Sequence, residues 1–149
     1  MASVELKDVP SMVGQETGVS DWLQITQERV NQFAEATGDH QWIHVDVERA
    51  RREIGGPIAH GYLTLSLIPF LSAGLMNVTG VTRGINYGSD RVRFTSMVRV
   101  GKRVRLRQKL IGAEPKSGGL QIKNQCTLEI EGEERPACVA ETISVLYGA

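Results

Sequence analysis

The order of apolar and polar residues changes character near the middle of the chain. In the first half, Val30, Phe33, Ala34 and Thr37 recur at the i, i+3, i+4, i+7 spacing of one helix face. Thr26 suits the N-cap before that run and Gly38 the stop after it, so a helix is predicted over 27–37. A short strand is predicted over 19–25, and a second short helix over 47–54, ended by Gly55-Gly56-Pro57. Residues 61–76 are apolar nearly all round. That pattern predicts a longer helix, buried on most sides and bent at Pro69, with Met76 and the aromatic residues in the core.

The second half alternates with a period of two. Strands are predicted over 82–87, 90–95, 103–113, 120–131 and 137–147. The alternation is clearest in Val104-Arg105-Leu106-Arg107-Gln108-Lys109-Leu110. Lys116-Ser117-Gly118-Gly119 and Glu131-Gly132-Glu133-Glu134 read as hairpin turns. Helices followed by an antiparallel meander give an α+β class, with a sheet wrapped around the one long apolar helix. No repeat or low-complexity linker divides the chain, so residues 1–149 read as a single domain.

Composition narrows the function classes. Hydrophobic residues are 41% and charged residues 23%, as in ordinary soluble proteins. Lys plus Arg and Asp plus Glu are 17 each, so no net charge points to nucleic acid or to an anionic membrane. Basic residues crowd 91–109, but their alternation with apolar ones favours a solvated sheet face over a phosphate site. Cys126 and Cys138 lie in strand-like runs without metal-ligand spacing. Residues 1–14 lack the apolar core of a signal peptide, so a reduced, cytoplasmic protein with both cysteines as small buried hydrophobes is expected. The apolar stretch over 62–76 is too short for a membrane span.

Candidate chemistry sits in one segment. All three histidines, His40, His44 and His60, fall within 21 residues of one another, with Asp39 and Asp46 beside them. Asp39 follows the predicted helix stop, and His44 comes five residues later. Adding water across a conjugated double bond needs a base for the water and an acid for the carbon α to the carbonyl. A carboxylate and an imidazole sharing one water can supply both. The plainer reading is that Asp39 caps a turn and His44 is a satisfied, partly buried histidine, and the pair alone favours it. Gly61, at the start of the long helix, offers a free N–H and no side chain, which suits a developing oxyanion. Read alone, the glycines of 55–61 only punctuate a turn. His40 and His44 are four apart, yet Gly38 argues against an unbroken helix and the spacing matches no specific zinc motif. Asn86, polar within an apolar strand, either orients a catalytic group or faces solvent.

The run Phe33-Ala34-Glu35-Ala36-Thr37-Gly38-Asp39-His40-Gln41-Trp42-Ile43-His44-Val45-Asp46, with Ala50, resembles the hydratase signature of MaoC-like dehydratases and (R)-specific enoyl-CoA hydratases. Pro57-Ile58-Ala59-His60-Gly61-Tyr62-Leu63, Ile85-Asn86-Tyr87-Gly88 and Arg91-Val92-Arg93-Phe94 also fit, most like the NodN-type branch. The resemblance covers nearly the whole chain. It implies a hotdog fold, a homodimer, and reversible hydration of a trans-2-enoyl thioester to the (R)-3-hydroxyacyl thioester. By position, Asp39 and His44 would hold and activate the water, and the Gly61 N–H would bind the thioester carbonyl. Asn86 would belong to the substrate site. No metal or redox cofactor is implied; coenzyme A would be part of the substrate, with acyl carrier protein as the other carrier. Gln41-Trp42 stands where the family has Asn-Pro, which puts the polar network of that loop in question. A hotdog thioesterase and a catalytically idle acyl-binding module are the competing readings.

Overall fold

The computed structural model describes residues 2–148. The second half of the chain forms most of a mixed-length antiparallel sheet. Its long strands are β5 (Val81–Arg93), β6 (Arg103–Lys116), β7 (Gly119–Ile130) and β8 (Cys138–Gly148). Two short strands, β2 (Glu16–Val19) and β3 (Leu23–Gln24), pair with β6, and the order along the sheet is β2-β6-β7-β8-β5. The single strand expected over 19–25 is therefore two, because residues 20–22 leave the ladder. A separate parallel pair joins β1 (Ala2–Glu5) to β4 (Met76–Thr79).

The alternation seen in the sequence sets the register. Val104, Leu106 and Leu110 of β6 are buried, and so are Leu128 and Ile130 of β7. Leu106 stands opposite Leu128, so both face one core. The β6–β7 hairpin turns at Ser117 and Gly118, both with positive φ (50° and 81°), which matches the twist of the flanking strands. The intervening arginines form the expected solvated face. Arg103 pairs with Glu131, Arg105 with Glu129, and Arg107 with Glu16 and Glu129, while Arg105 also lies over Trp22.

Five α-helices lie before β4. Helix α1 runs Gln27–Thr37; Thr26 accepts from the Arg29 N–H at its start, and Gly38 ends it at φ 85°. A one-turn helix, α2 (Trp42–Val45), leads into α3 (Val47–Ile54), which Gly55 ends. The long helix expected over 61–76 is instead α4 (Gly61–Ser66) and α5 (Ile68–Ser72). Pro69 has no N–H to continue the ladder, and the chain has left the helix before Met76, which opens β4. Leu63, Leu67, Ile68 and Leu71 pack against Val104, Leu106, Cys126, Leu128, Cys138 and Ala140 in the main core. This is the helix-on-curved-sheet arrangement of a hotdog fold.

Part of the expected core lies outside it. Met76 is half-buried, and Tyr62, Phe70, Tyr87 and Phe94 are exposed. The outer face of α4–α5 is apolar but uncovered within one chain. Strand β5 is exposed almost throughout and, among the described residues, is paired along one side only, by β8. It also replaces the two strands expected over 82–87 and 90–95. Bulges after Asn86 and Asp90, the latter with Arg91 at φ 53°, carry one strand through the apparent break. Cys126 and Cys138 are free and buried, and burial pushes the Cys138 thiol up to about 11. Among the described residues, no helix is long and apolar enough to cross a membrane.

Candidate active site

The end of α1 places the carboxylate. Gly38 takes a left-handed conformation that a side chain would resist, and the chain turns outward at Asp39. The Asp39 carboxylate accepts the Gln41 N–H at 3.3 Å, a local turn that leaves its second oxygen unengaged. Asp39 is exposed. Asp39 thus caps a local turn, as the plainer reading expects, with its carboxylate at the surface.

Helix α2 places the imidazole. His44 is 6% exposed, and its Nδ1 lies 2.6 Å from the carbonyl of Ile58. A carbonyl only accepts, so Nδ1 carries the proton and neutral His44 presents a bare lone pair at Nε2. Burial pushes the His44 pKa below its ordinary value; the Ile58 carbonyl and Asp39 oppose that, and neighbouring His60 adds to it. Gln27, the first residue of α1, donates from Nε2 to the His44 carbonyl at 2.8 Å and so ties α2 to the larger helix.

His60 is the part of the site that sequence reasoning missed. In the sequence it has no assigned role beyond its place in the run before Gly61. Its ring instead stacks on His44, centroids 3.7 Å apart and planes 23° apart, and its Nε2 donates to the Asp39 carbonyl at 3.0 Å. Phe33 of α1 also packs against it, tilted, with ring centroids 4.8 Å apart. His60 comes sixteen positions after His44, and no periodicity links them.

Asp39, His44 and His60 thus bring one side-chain atom each to within 4.8 Å of one another. Metal-ligand residue types are present, on two imidazoles stacked with their planes 23° apart. His44 Nδ1 and His60 Nε2 are each engaged by a backbone carbonyl, of Ile58 and Asp39, which leaves one nitrogen per ring for any ligand. A carboxylate and an imidazole this close can also hold a small molecule such as water between them. His40 is outside this group; its Nε2 meets Glu35 at the surface, 3.5 Å away.

Gly61 follows His60 and opens α4, so its N–H has no acceptor within the helix. Asn86 is placed elsewhere. It lines an open cavity of about 670 Å³ between α4–α5 and the β5–β8 side of the sheet, with Ser66, Pro69, Gln108 and Thr142. Asp39, His44 and Gly61 are not in that lining.

Comparison with known proteins bears on this arrangement. Residues 8–132 match the family described as "MaoC like domain". The chain is 51% identical over 138 residues to 3-hydroxyacyl-thioester dehydratase Z of Mycobacterium tuberculosis, covering 91% of each chain. It is 45% identical over 150 residues to nodulation protein N of Rhizobium leguminosarum bv. viciae, covering 98% of this chain and 93% of that one. Among solved structures, R-hydratase PhaJ1 from Pseudomonas aeruginosa in the unliganded form superposes with a TM-score of 0.75. There the identity is 22%, with 92% of this chain and 83% of that chain covered.

Proposed function

The chain belongs to the MaoC-like domain family, and from that membership we propose that it is a hydro-lyase, a 3-hydroxyacyl-thioester dehydratase of (R) specificity. It acts as one MaoC-like hotdog domain on acyl thioesters carried by coenzyme A or acyl carrier protein. The observation that carries the reading is the meeting of Asp39 and His44 with His44 Nδ1 already engaged by Ile58. Such a histidine is held in the one tautomer that can take a proton at Nε2.

In the hydration direction, a water sits between the Asp39 carboxylate and His44 Nε2. As the water oxygen bonds to C3 of the enoyl thioester, its proton moves to His44 and Asp39 holds the oxygen in line. The C2–C3 π pair shifts toward the thioester oxygen, where the Gly61 N–H stabilises the developing charge. Delivery of that proton from His44 to C2 restores the thioester carbonyl and returns His44 to its neutral form, with the Asp39 carboxylate unchanged. Dehydration runs the same steps backward. The cavity beside α4–α5 accepts the acyl chain, with Asn86 meeting that part of the substrate.

The working unit is a homodimer. An unpaired β5 edge, bearing exposed Ile85 and Tyr87 beside exposed Tyr62, Phe70 and Phe94, supports pairing with a second copy. Two free, buried cysteines fit a reducing compartment such as the cytoplasm.

The test is hydration of crotonyl-CoA and longer enoyl-CoA substrates, followed as loss of the conjugated thioester's absorbance. Asp39→Asn and His44→Ala should each remove most of the rate with the fold intact. Near-wild-type turnover in either variant would make these roles wrong. Thiol release from a saturated acyl-CoA would mark a thioesterase instead, and tight acyl-CoA binding without turnover an idle module.

A further inference from the structure

We propose that His60 is a positioning residue: its ring backs His44 while its Nε2–H holds the Asp39 peptide, so one side chain sets imidazole and carboxylate against each other. Its catalytic consequence rests on the dehydratase reading above.

Each contact restrains a different motion. The bond from His44 Nδ1 to Ile58 fixes the tautomer but leaves the ring free to tilt about that bond. A parallel ring 3.7 Å away closes one direction of tilt. Asp39 stands just past a helix end, exposed, with only a local turn to hold its carboxylate. The His60 N–H at 3.0 Å ties that peptide to the buried histidines. His60 is itself held, at 3% exposure, against Phe33. Its own peptide runs into Gly61, so all three proposed groups are referenced to this one residue.

A residue that only filled space here would be apolar. His60 Nδ1 is buried with no hydrogen-bond partner among the described residues. Burying an unpartnered ring nitrogen is unfavourable, and a phenyl ring would stack equally well without it. What a phenyl ring lacks is the donor aimed at Asp39. Among the described residues, the titratable groups facing His44 are His60, from the N-cap of α4, and Asp39, from the loop after α1.

Two variants of the full chain separate the contacts. His60→Phe keeps a stacked face and loses the donor; His60→Gln keeps a donor and loses the ring. The first readout is the imidazole nitrogen resonances of His44 against pH, assignable in a chain with three histidines. The second is the kcat and KM for crotonyl-CoA hydration. We expect the His44 titration to move upward in His60→Gln, and kcat to fall by about ten- to a hundredfold in both variants with KM within about twofold. A purely structural role would lower the melting temperature and leave the His44 titration and the split between kcat and KM unchanged. A His44 titration and kcat matching wild type in both variants overturn the proposal. If wild type hydrates no enoyl-CoA, the dehydratase reading fails and the resonances alone decide: a shifted His44 sustains the positioning role, an unshifted one overturns it. Should one variant fail to fold, the other carries both readouts.

Discussion

Phe94 lies so close over Gly61 that a methyl group added to the glycine would sit 3.0 Å from the ring. Gly61 has an ordinary negative φ, so room and not backbone conformation is what its missing side chain supplies. Gly61 is the first residue of α4, where interior helix propensity does not apply, so the cost of alanine is set by displacing Phe94. Gly61→Ala is therefore expected to fold, and to lose about ten- to a hundredfold in kcat/KM because the thioester carbonyl no longer reaches the N–H. The double variant Gly61→Ala/Phe94→Leu distinguishes the causes. Restored turnover there would mean that the glycine serves Phe94 and not the substrate.

The pH profile reports on His44. Burial lowers its pKa from 6.5, and protonation removes the base that hydration needs. Hydratase kcat/KM should thus hold as pH falls past 6.5 and decline only below it. The same shift weakens the fold in acid. The unfolded chain binds that proton more readily, so stability is full above the unfolded pKa and falls as pH drops toward the lowered folded one. An acid limb centred at or above 6.5 in kcat/KM would assign it to another group.

The free edge of β5 predicts the oligomeric state. Ile85 and Tyr87 are 50% and 59% exposed on a strand that has no neighbour on its outer side among the described residues. Light scattering on eluted protein should give the mass of two 16.4 kDa chains. Ile85→Lys should shift it toward one chain and lower turnover together. A wild-type monomer with full activity would remove the dimer from the reading.

The α1 cap gives a prediction about stability alone. Thr26 Oγ1 accepts the Arg29 N–H at 3.1 Å on an exposed turn. Thr26→Ala should cost about 1 kcal/mol in urea unfolding. Its kcat should stay near wild type, because the tie from α1 to His44 is made by Gln27.

Local signals carried most of the fold. Thr26, Gly38 and Gly55 marked helix ends that the backbone realises, since caps depend on residues within one turn. Strands β6, β7 and β8 were legible because each has one buried face. Strand β5 was not read as one strand: an edge strand exposed on both faces shows no alternation. The α4–α5 run misled in the other direction, since its apolar outer face is uncovered within one chain. In the site, Asp39 and His44 lie close in sequence and were found together. His60 was seen but not understood, because stacking on His44 depends on how the loop over 55–60 folds back.

The bond that sets the His44 tautomer ends on a peptide oxygen, not on a side chain. Every amino acid at position 58 would supply the same acceptor, provided the path of the loop is kept. The choice of side chain there is thus released from the chemistry and free to answer to packing or acyl shape. The base can be disarmed by moving that loop, for instance through insertion or deletion between Gly55 and His60, with His44 and Asp39 both still in place.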